Sequence, residues 1–212
     1  MLTALIDYES GNLHSAQKAF ERMAAELPNE EVIVTSDPEM LRRADRLVLP
    51  GDGAFPACKA ALVEKTGLYD ALLEAVEDDA KPFLGICVGM QMMASFGHEY
   101  QTTPGLDWIA GHIRPIQPRD PSLKVPHMGW NDLVITGAHP VLAGLKNGDH
   151  AYFVHSYHFV LQDVTQRLAH VDYDGEISAI VSSGTRIGMQ FHPEKSQSTG
   201  LRLISNFLNW RP

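Results

Sequence analysis

Lys81-Pro82-Phe83-Leu84-Gly85-Ile86-Cys87-Val88-Gly89-Met90-Gln91 passes from an apolar run, Pro82 to Ile86, straight into a helical pattern from Val88 to about Ser95. A short apolar run that ends in a turn reads as a buried strand. The cysteine stands at the joint, with a glycine two residues to either side. This is the strand–turn–helix arrangement of a nucleophile elbow, with Cys in place of Ser. So tight a turn demands small neighbours, and Gly85 and Gly89 have no Cβ. It also sets Cys87 at a helix N-terminus, where unpaired N–H groups and the positive end of the helix dipole favour a thiolate. A buried cysteine in an α/β core is the competing explanation, because G-x-C-x-G is short.

Working outward, the N-terminal side alternates strands with helices. Thr3 to Ile6, Glu31 to Thr35 and Arg46 to Leu49 are apolar and strand-like. Leu13, Ala16, Phe20 and Met23 recur at helical spacing. Ser36-Asp37-Pro38-Glu39 is a helix start, with a capping residue and an early proline. Lys65 to Asp79 reads as a further helix leading into the elbow strand. Such alternation predicts a parallel sheet with helices on both faces. On the C-terminal side the segments near Trp108–Ile113, Trp130–Ile135, Tyr152–Val154, Tyr157–Leu161, Leu168–Val171, Ser178–Val181 and Arg186–Gln190 are short and β-rich. They predict antiparallel strands and hairpins added at one side of the sheet. Ser196 to Leu208 reads as a closing helix. The expected fold is a single α/β domain over residues 1–212, flavodoxin-like, with an open and mostly parallel sheet. Pro115 to His127 carries four prolines and is expected to be its most mobile segment.

Composition narrows the function classes. The chain has 212 residues, enough for one substantial core, with 44% hydrophobic and 20% charged residues. A net charge of -9 argues against a general nucleic-acid binder. Two cysteines, Cys58 and Cys87, have neither metal-ligand spacing nor a disulfide framework. No metal or cofactor is implied. The N-terminus enters a strand with no basic signal region, and no apolar run approaches spanning length, so a cytoplasmic protein with reduced thiols is expected.

A nucleophile needs a base, an orienter for that base, and a donor for the oxyanion. Pro50-Gly51-Asp52-Gly53-Ala54-Phe55 follows the third strand at its C-terminal end, where open α/β sheets place their sites. Gly51 and Gly53 allow this loop to aim an N–H group inward, although an ordinary βα turn would look the same. Cys58, in a helical stretch just beyond, reads as packing. Among ten histidines, His192 stands out in Gly188-Met189-Gln190-Phe191-His192-Pro193-Glu194-Lys195-Ser196. Residues i and i+2 of an extended chain share a face, so Glu194 can bond one nitrogen of His192 and leave the other for a thiol. Pro193 biases His192 toward that extended geometry. A strand-end histidine beside a solvated glutamate is the alternative. Together the pieces imply acyl transfer to water through a thioester.

These residues carry a resemblance. Pro50-Gly51-x-Gly53, Gly85-Ile86-Cys87-Val88-Gly89-Met90-Gln91 and His192-Pro193-Glu194 resemble the three signatures of class I (triad) glutamine amidotransferases. More closely, Asp7-Tyr8-x-Ser10-Gly11-Asn12-Leu13, Val125-Pro126-His127-Met128-Gly129-Trp130-Asn131, Tyr152-Phe153-Val154-His155-Ser156-Tyr157 and Phe191-His192-Pro193-Glu194-Lys195-Ser196 are similar to the glutaminase subunits of imidazole glycerol phosphate synthases. The resemblance implies that Cys87, His192 and Glu194 hydrolyse glutamine. It places the oxyanion on the Val88 N–H and the Gly51–Asp52–Gly53 loop; Asp52 departs from the family's apolar residue there, and because its charge would oppose the oxyanion its carboxylate is expected to face away. It assigns the glutamine head group to Gln91, Glu99, Gly53 and the segment His155, Ser156 and Tyr157. It implies a heterodimer with a (β/α)₈-barrel cyclase that receives the ammonia in histidine synthesis, docked over Asn12, Trp130, Tyr152 and Lys195. Another triad amidotransferase subunit or a γ-glutamyl hydrolase is the neighbouring enzyme class. A binding module that keeps only the fold is the non-catalytic alternative.

Overall fold

The structure, a computed structural model, describes residues 1–9 and 13–212. Its first half is a run of strand–helix units: β1 (Leu2–Ile6), α1 (Leu13–Ala24), β2 (Glu31–Thr35), α2 (Pro38–Arg43), β3 (Arg46–Gly51), α3 (Phe55–Glu64), α4 (Leu68–Leu73) and β4 (Phe83–Cys87). α1 buries Ala16, Ala19, Phe20 and Met23, the stripe that its helical period lays against the sheet. α2 starts where the sequence indicates: the Asp37 carboxylate accepts from the Glu39 N–H at 2.9 Å, with Pro38 in the first turn. The helix expected over residues 65–79 is shorter and irregular. Gly67, at φ 72°, delays its start to Leu68, and Glu74–Asp78 continues as a π turn.

The second half holds α5 (Val88–Gln91), β5 (Ala94–Gly97), β6 (Thr103–Pro104), β7 (Ile109–Pro115), β8 (His127–Asp132), β9 (Val134–Ile135), β10 (His150–His155), β11 (Tyr157–Leu161), β12 (Arg167–Asp172), β13 (Glu176–Ser183), β14 (Arg186–Met189) and α6 (Gln197–Asn209). The main sheet has the order β2-β1-β3-β4-β14-β13-β12-β9. β2, β1, β3, β4 and β14 pair in parallel, and β13, β12 and β9 add to one side antiparallel. The mostly parallel α/β sheet with an antiparallel extension is therefore as the sequence indicates. The other β segments depart from that expectation. β11, β7, β5 and β6 form a separate four-stranded sheet, and β10 pairs with β8 alone. Hydrophobic alternation marks a strand but not the partner across the ladder.

Strand order also places the helices. The chain steps from β1 to β2 in one direction and from β2 through β3 to β4 in the other, and right-handed crossovers then put α1 opposite α2 and α3. Accordingly α1 packs on α6, while α2 and α3 pack on α4. β3 and β4, covered on both faces, are buried along their whole length. At the opposite end from the elbow, Arg46 is fully buried and bonds Glu30 at 2.8 Å. The proline-rich segment after β7 is tied to the turn between β12 and β13: Arg119 and Asp120 bond the Asp174 carboxylate, and the Tyr173 hydroxyl donates to the Lys124 carbonyl at 2.6 Å. Among the described residues no helix is long and apolar enough to cross a membrane.

Candidate active site

β4 ends at Cys87, which takes φ 55° and ψ -111°. A residue with a Cβ is strained there. The close approach that forces this turn is visible at its glycines: a Cβ on Gly89 would lie 1.8 Å from the Leu49 carbonyl oxygen, and one on Gly85 would lie 2.6 Å from the Gly89 carbonyl. The elbow thus presses directly on β3. The following helix is one turn, Val88–Gln91, rather than the longer helix expected to about Ser95. The Met92 carbonyl accepts from Leu106, and that of Met93 from Trp108 and Ile109, which draws the chain out into β5. Orphan N–H groups of a single turn therefore face Cys87, without a long helix behind them.

Parallel pairing of β3 with β4 sets Gly51 opposite Cys87. The glycine loop therefore begins beside Cys87. Gly53 sits at φ 126°. The fully buried Tyr8 donates its hydroxyl to the Pro50 carbonyl at 2.8 Å and so anchors the entry to this loop. Cys58 is buried behind it, its sulphur 3.8 Å from the Asp52 carbonyl oxygen. Asp52 is exposed and borders both the cavity at Cys87 and a second cavity behind the loop.

β14 runs parallel to β4, with Met189 opposite Ile86, and delivers His192 to the same end of the sheet. His192 Nδ1 lies 2.9 Å from Glu194 Oε1, and both side chains are buried. The contact is made differently from the sequence expectation. Strand β14 stops at Met189, and Glu194 sits in a 3₁₀ turn, Pro193–Lys195, that His192 caps. The Ser196 hydroxyl donates to the His192 carbonyl at 2.7 Å and closes this turn. Since a carboxylate only accepts, Nδ1 carries the proton toward Glu194. Nε2 is buried without a hydrogen bond. Burial pushes the imidazole down, but the Cys87 thiol and the Glu194 carboxylate outweigh it and raise its pKa from 6.5 to about 10. A thiol, an imidazole and a carboxylate so ordered can transfer the thiol proton to the imidazole and hold the resulting ion pair.

Cys87 and Val88 border a cavity of about 220 Å³, and every residue singled out for the head group, Gly53, Gln91, Glu99, His155, Ser156 and Tyr157, borders it too. Its size suits a small metabolite rather than a large cofactor. Glu99 has one carboxylate oxygen 2.7 Å from the Phe55 N–H, at the first residue of α3. Among the described residues there is no group of three or more His, Cys, Asp or Glu that could hold a metal ion.

Two features escaped the sequence. Gln190, fully buried, places its side-chain nitrogen 3.8 Å from Cys87 Sγ and its oxygen 3.1 Å from the Gln91 amide. A polar residue inside Gly188-Met189-Gln190-Phe191 was the only signal. The second is a relay of neutral histidines. His155 Nδ1 donates to the Tyr157 carbonyl at 2.8 Å, His127 Nδ1 donates to His155 Nε2 at 3.0 Å, and Asn131 donates to His127 Nε2 at 3.2 Å. Burial lowers the pKa of His155 to about 3 and that of His127 to about 4.

Of the residues assigned to a partner face, Tyr152 is half-buried and the other described ones are exposed. Trp130 is 50% exposed and meets Tyr152 edge-on across β8 and β10, at 5.8 Å between ring centroids. Lys195 is exposed, and so are Val125 and Met128. Asn12 lies outside the described residues.

Residues 4–210 match the family model "Glutamine amidotransferase class-I". The chain is 65% identical over 212 residues, covering all of both chains, to a protein of Ruegeria pomeroyi named imidazole glycerol phosphate synthase subunit HisH. It is 62% identical, again over both full lengths, to the protein of the same name from Cereibacter sphaeroides. A crystal structure described as a glutamine amidotransferase superposes with a TM-score of 0.72 at 20% identity, covering 98% of this chain and 99% of that one, which speaks for the fold.

Proposed function

The chain belongs to the class-I glutamine amidotransferase family, and from that premise we propose that it is a single-domain glutaminase, the subunit of an imidazole glycerol phosphate synthase that makes ammonia from glutamine. The observation that carries the chemistry is the buried Cys87, His192 and Glu194 set at the ends of two adjacent parallel strands. Cys87 attacks the side-chain amide carbon of glutamine. The oxyanion that forms is held by the Val88 N–H and an N–H of the loop from Gly51 through Asp52 to Gly53. His192, protonated by the thiol, gives that proton to the departing ammonia, leaving a thioester on Cys87. It then takes a proton from water, which attacks the thioester and frees glutamate. Glu194 keeps Nδ1 protonated and the ring aimed throughout. Gln91, Glu99, Gly53, His155, Ser156 and Tyr157 hold the substrate head group.

The names of the full-length relatives support the synthase assignment over another triad amidotransferase or a γ-glutamyl hydrolase. In this reading a cyclase barrel docks on the face of Trp130, Tyr152 and Lys195 and receives ammonia without release to solvent. Val154, two positions along β10 from Tyr152, borders the catalytic cavity. The protein works in the cytoplasm.

The test is glutamate release from glutamine by the chain alone, with its cyclase, and with the cyclase plus nucleotide substrate. Slow turnover alone, a large rise with both, and none in Cys87→Ala are expected. Equal turnover with and without the cyclase would move the protein to the free hydrolases, and silence throughout would leave a binding module.

A further inference from the structure

The hydrogen bonds around Cys87 have a direction, and one backbone atom sets it. The Tyr157 carbonyl oxygen can only accept. It lies 3.2 Å from the side-chain amide of Gln91, which must therefore turn its NH₂ group toward it. The same NH₂ group lies 3.1 Å from the side-chain amide of Gln190. An NH₂ group only donates, so Gln190 meets it with Oε1. Its own NH₂ group is left facing Cys87 Sγ, at 3.8 Å. Gln190 is fully buried, and its backbone N–H is held by the Ala179 carbonyl at 2.9 Å.

We propose that Gln190 is an N–H donor to the Cys87 sulphur, a third side chain acting on the nucleophile beside His192 and Glu194. A neutral amide donor stabilises the thiolate without contributing charge, and burial strengthens such a bond. The arrangement also couples recognition to chemistry. Gln91, placed to hold the substrate, is joined to the sulphur through one shared amide. The inference rests on the proposed role of Cys87 as nucleophile.

The experiment is alkylation of Cys87 by iodoacetamide near neutral pH, with the site identified by mass spectrometry and the melting temperature recorded for each variant. Gln190→Glu keeps an oxygen toward Gln91 but turns a carboxylate oxygen to the sulphur. Gln190→Met fills a similar shape with no donor. Loss of one hydrogen bond to a charged group predicts roughly tenfold slower alkylation in Gln190→Met, and a larger loss in Gln190→Glu. The KM for glutamine should rise in Gln190→Met, where Gln91 loses its acceptor, and change less in Gln190→Glu. If Gln190→Glu does not fold, Gln190→Met decides alone. Wild-type alkylation rates would overturn the proposal, and a raised KM with wild-type alkylation would leave Gln190 a support for Gln91 only. Alkylation needs no glutamine, so its outcome is independent of whether the wild-type protein turns glutamine over.

Discussion

Acidifying the solution from about pH 7 to about pH 4.5 should cost the wild-type protein stability that a His155→Gln variant keeps. His155 Nδ1–H is committed to the Tyr157 carbonyl, and its Nε2 accepts the proton of His127 Nδ1. A second proton on His155 would set two N–H groups against each other across 3.0 Å. Burial is the largest influence on this ring. It outweighs the bond to the Tyr157 carbonyl, and the nearby His127, His158 and His192 act with it, so the pKa falls from 6.5 to about 3. The sign follows. Between those values the unfolded chain binds a proton that the folded protein refuses, so stability is full above 6.5 and is lost as pH falls toward about 3. Each pH unit in that window is worth about 1.4 kcal/mol, so about two units of acidification below 6.5 cost about 3 kcal/mol. His127, lowered to about 4 by burial, acts in the same direction. His127 remains in the variant, so its contribution is set aside in the comparison and the figure of about 3 kcal/mol is that of His155 alone. His139 and His158, also lowered by burial, remain in both proteins and cancel in the difference. His192, raised to about 10, is charged in both folded and unfolded states below pH 6 and adds no slope. The assay is urea unfolding followed by circular dichroism at a series of pH values, comparing slopes rather than absolute stabilities. Parallel curves for wild type and His155→Gln would refute the reasoning.

Three further outcomes follow from the geometry. Cys87→Gly should be about 1 kcal/mol more stable than Cys87→Ala, since only glycine relaxes at φ 55° and ψ -111°, and equal urea midpoints would show that the elbow stores no strain. Gly89→Ala, whose Cβ would meet the Leu49 carbonyl at 1.8 Å, should lose about 3 kcal/mol or more by forcing β3 and the elbow apart, whereas a melt like wild type would mean the turn yields. In Cys87→Ala the His192 titration seen by NMR should fall below about 10, because the thiol is the largest influence raising it and Glu194 is left alone to oppose burial; a midpoint left in place would assign the whole effect to Glu194.

The site divides into parts that were readable in the chain and parts that were not. The elbow was readable because strand, cysteine and flanking glycines are contiguous, and the close approach of Gly89 to the Leu49 carbonyl is the physical content of that spacing. His192 with Glu194 was readable for the same local reason, although a 3₁₀ turn rather than an extended chain brings them together. The helix after Cys87 is shorter than its sequence suggests because Met92, Met93 and Ala94 prolong the helical pattern while distant N–H groups claim the Met92 and Met93 carbonyls. The β-rich half was recognised strand by strand but not sheet by sheet.

What the sequence alone determined is the chemistry available at one place: a thiol at a tight turn, a histidine with its carboxylate, a glycine loop, and a strand–helix alternation that sends all three to one end of a parallel sheet. Those properties belong to residues within a few positions of one another, where backbone geometry leaves few choices. Only the tertiary structure decided how the groups are aimed. Gln190 meets Cys87 across 103 positions of chain, and Gln91 meets Tyr157 across 66. The direction of those bonds rests on a single carbonyl that can accept but never donate, and no local pattern records which side chains will converge on it.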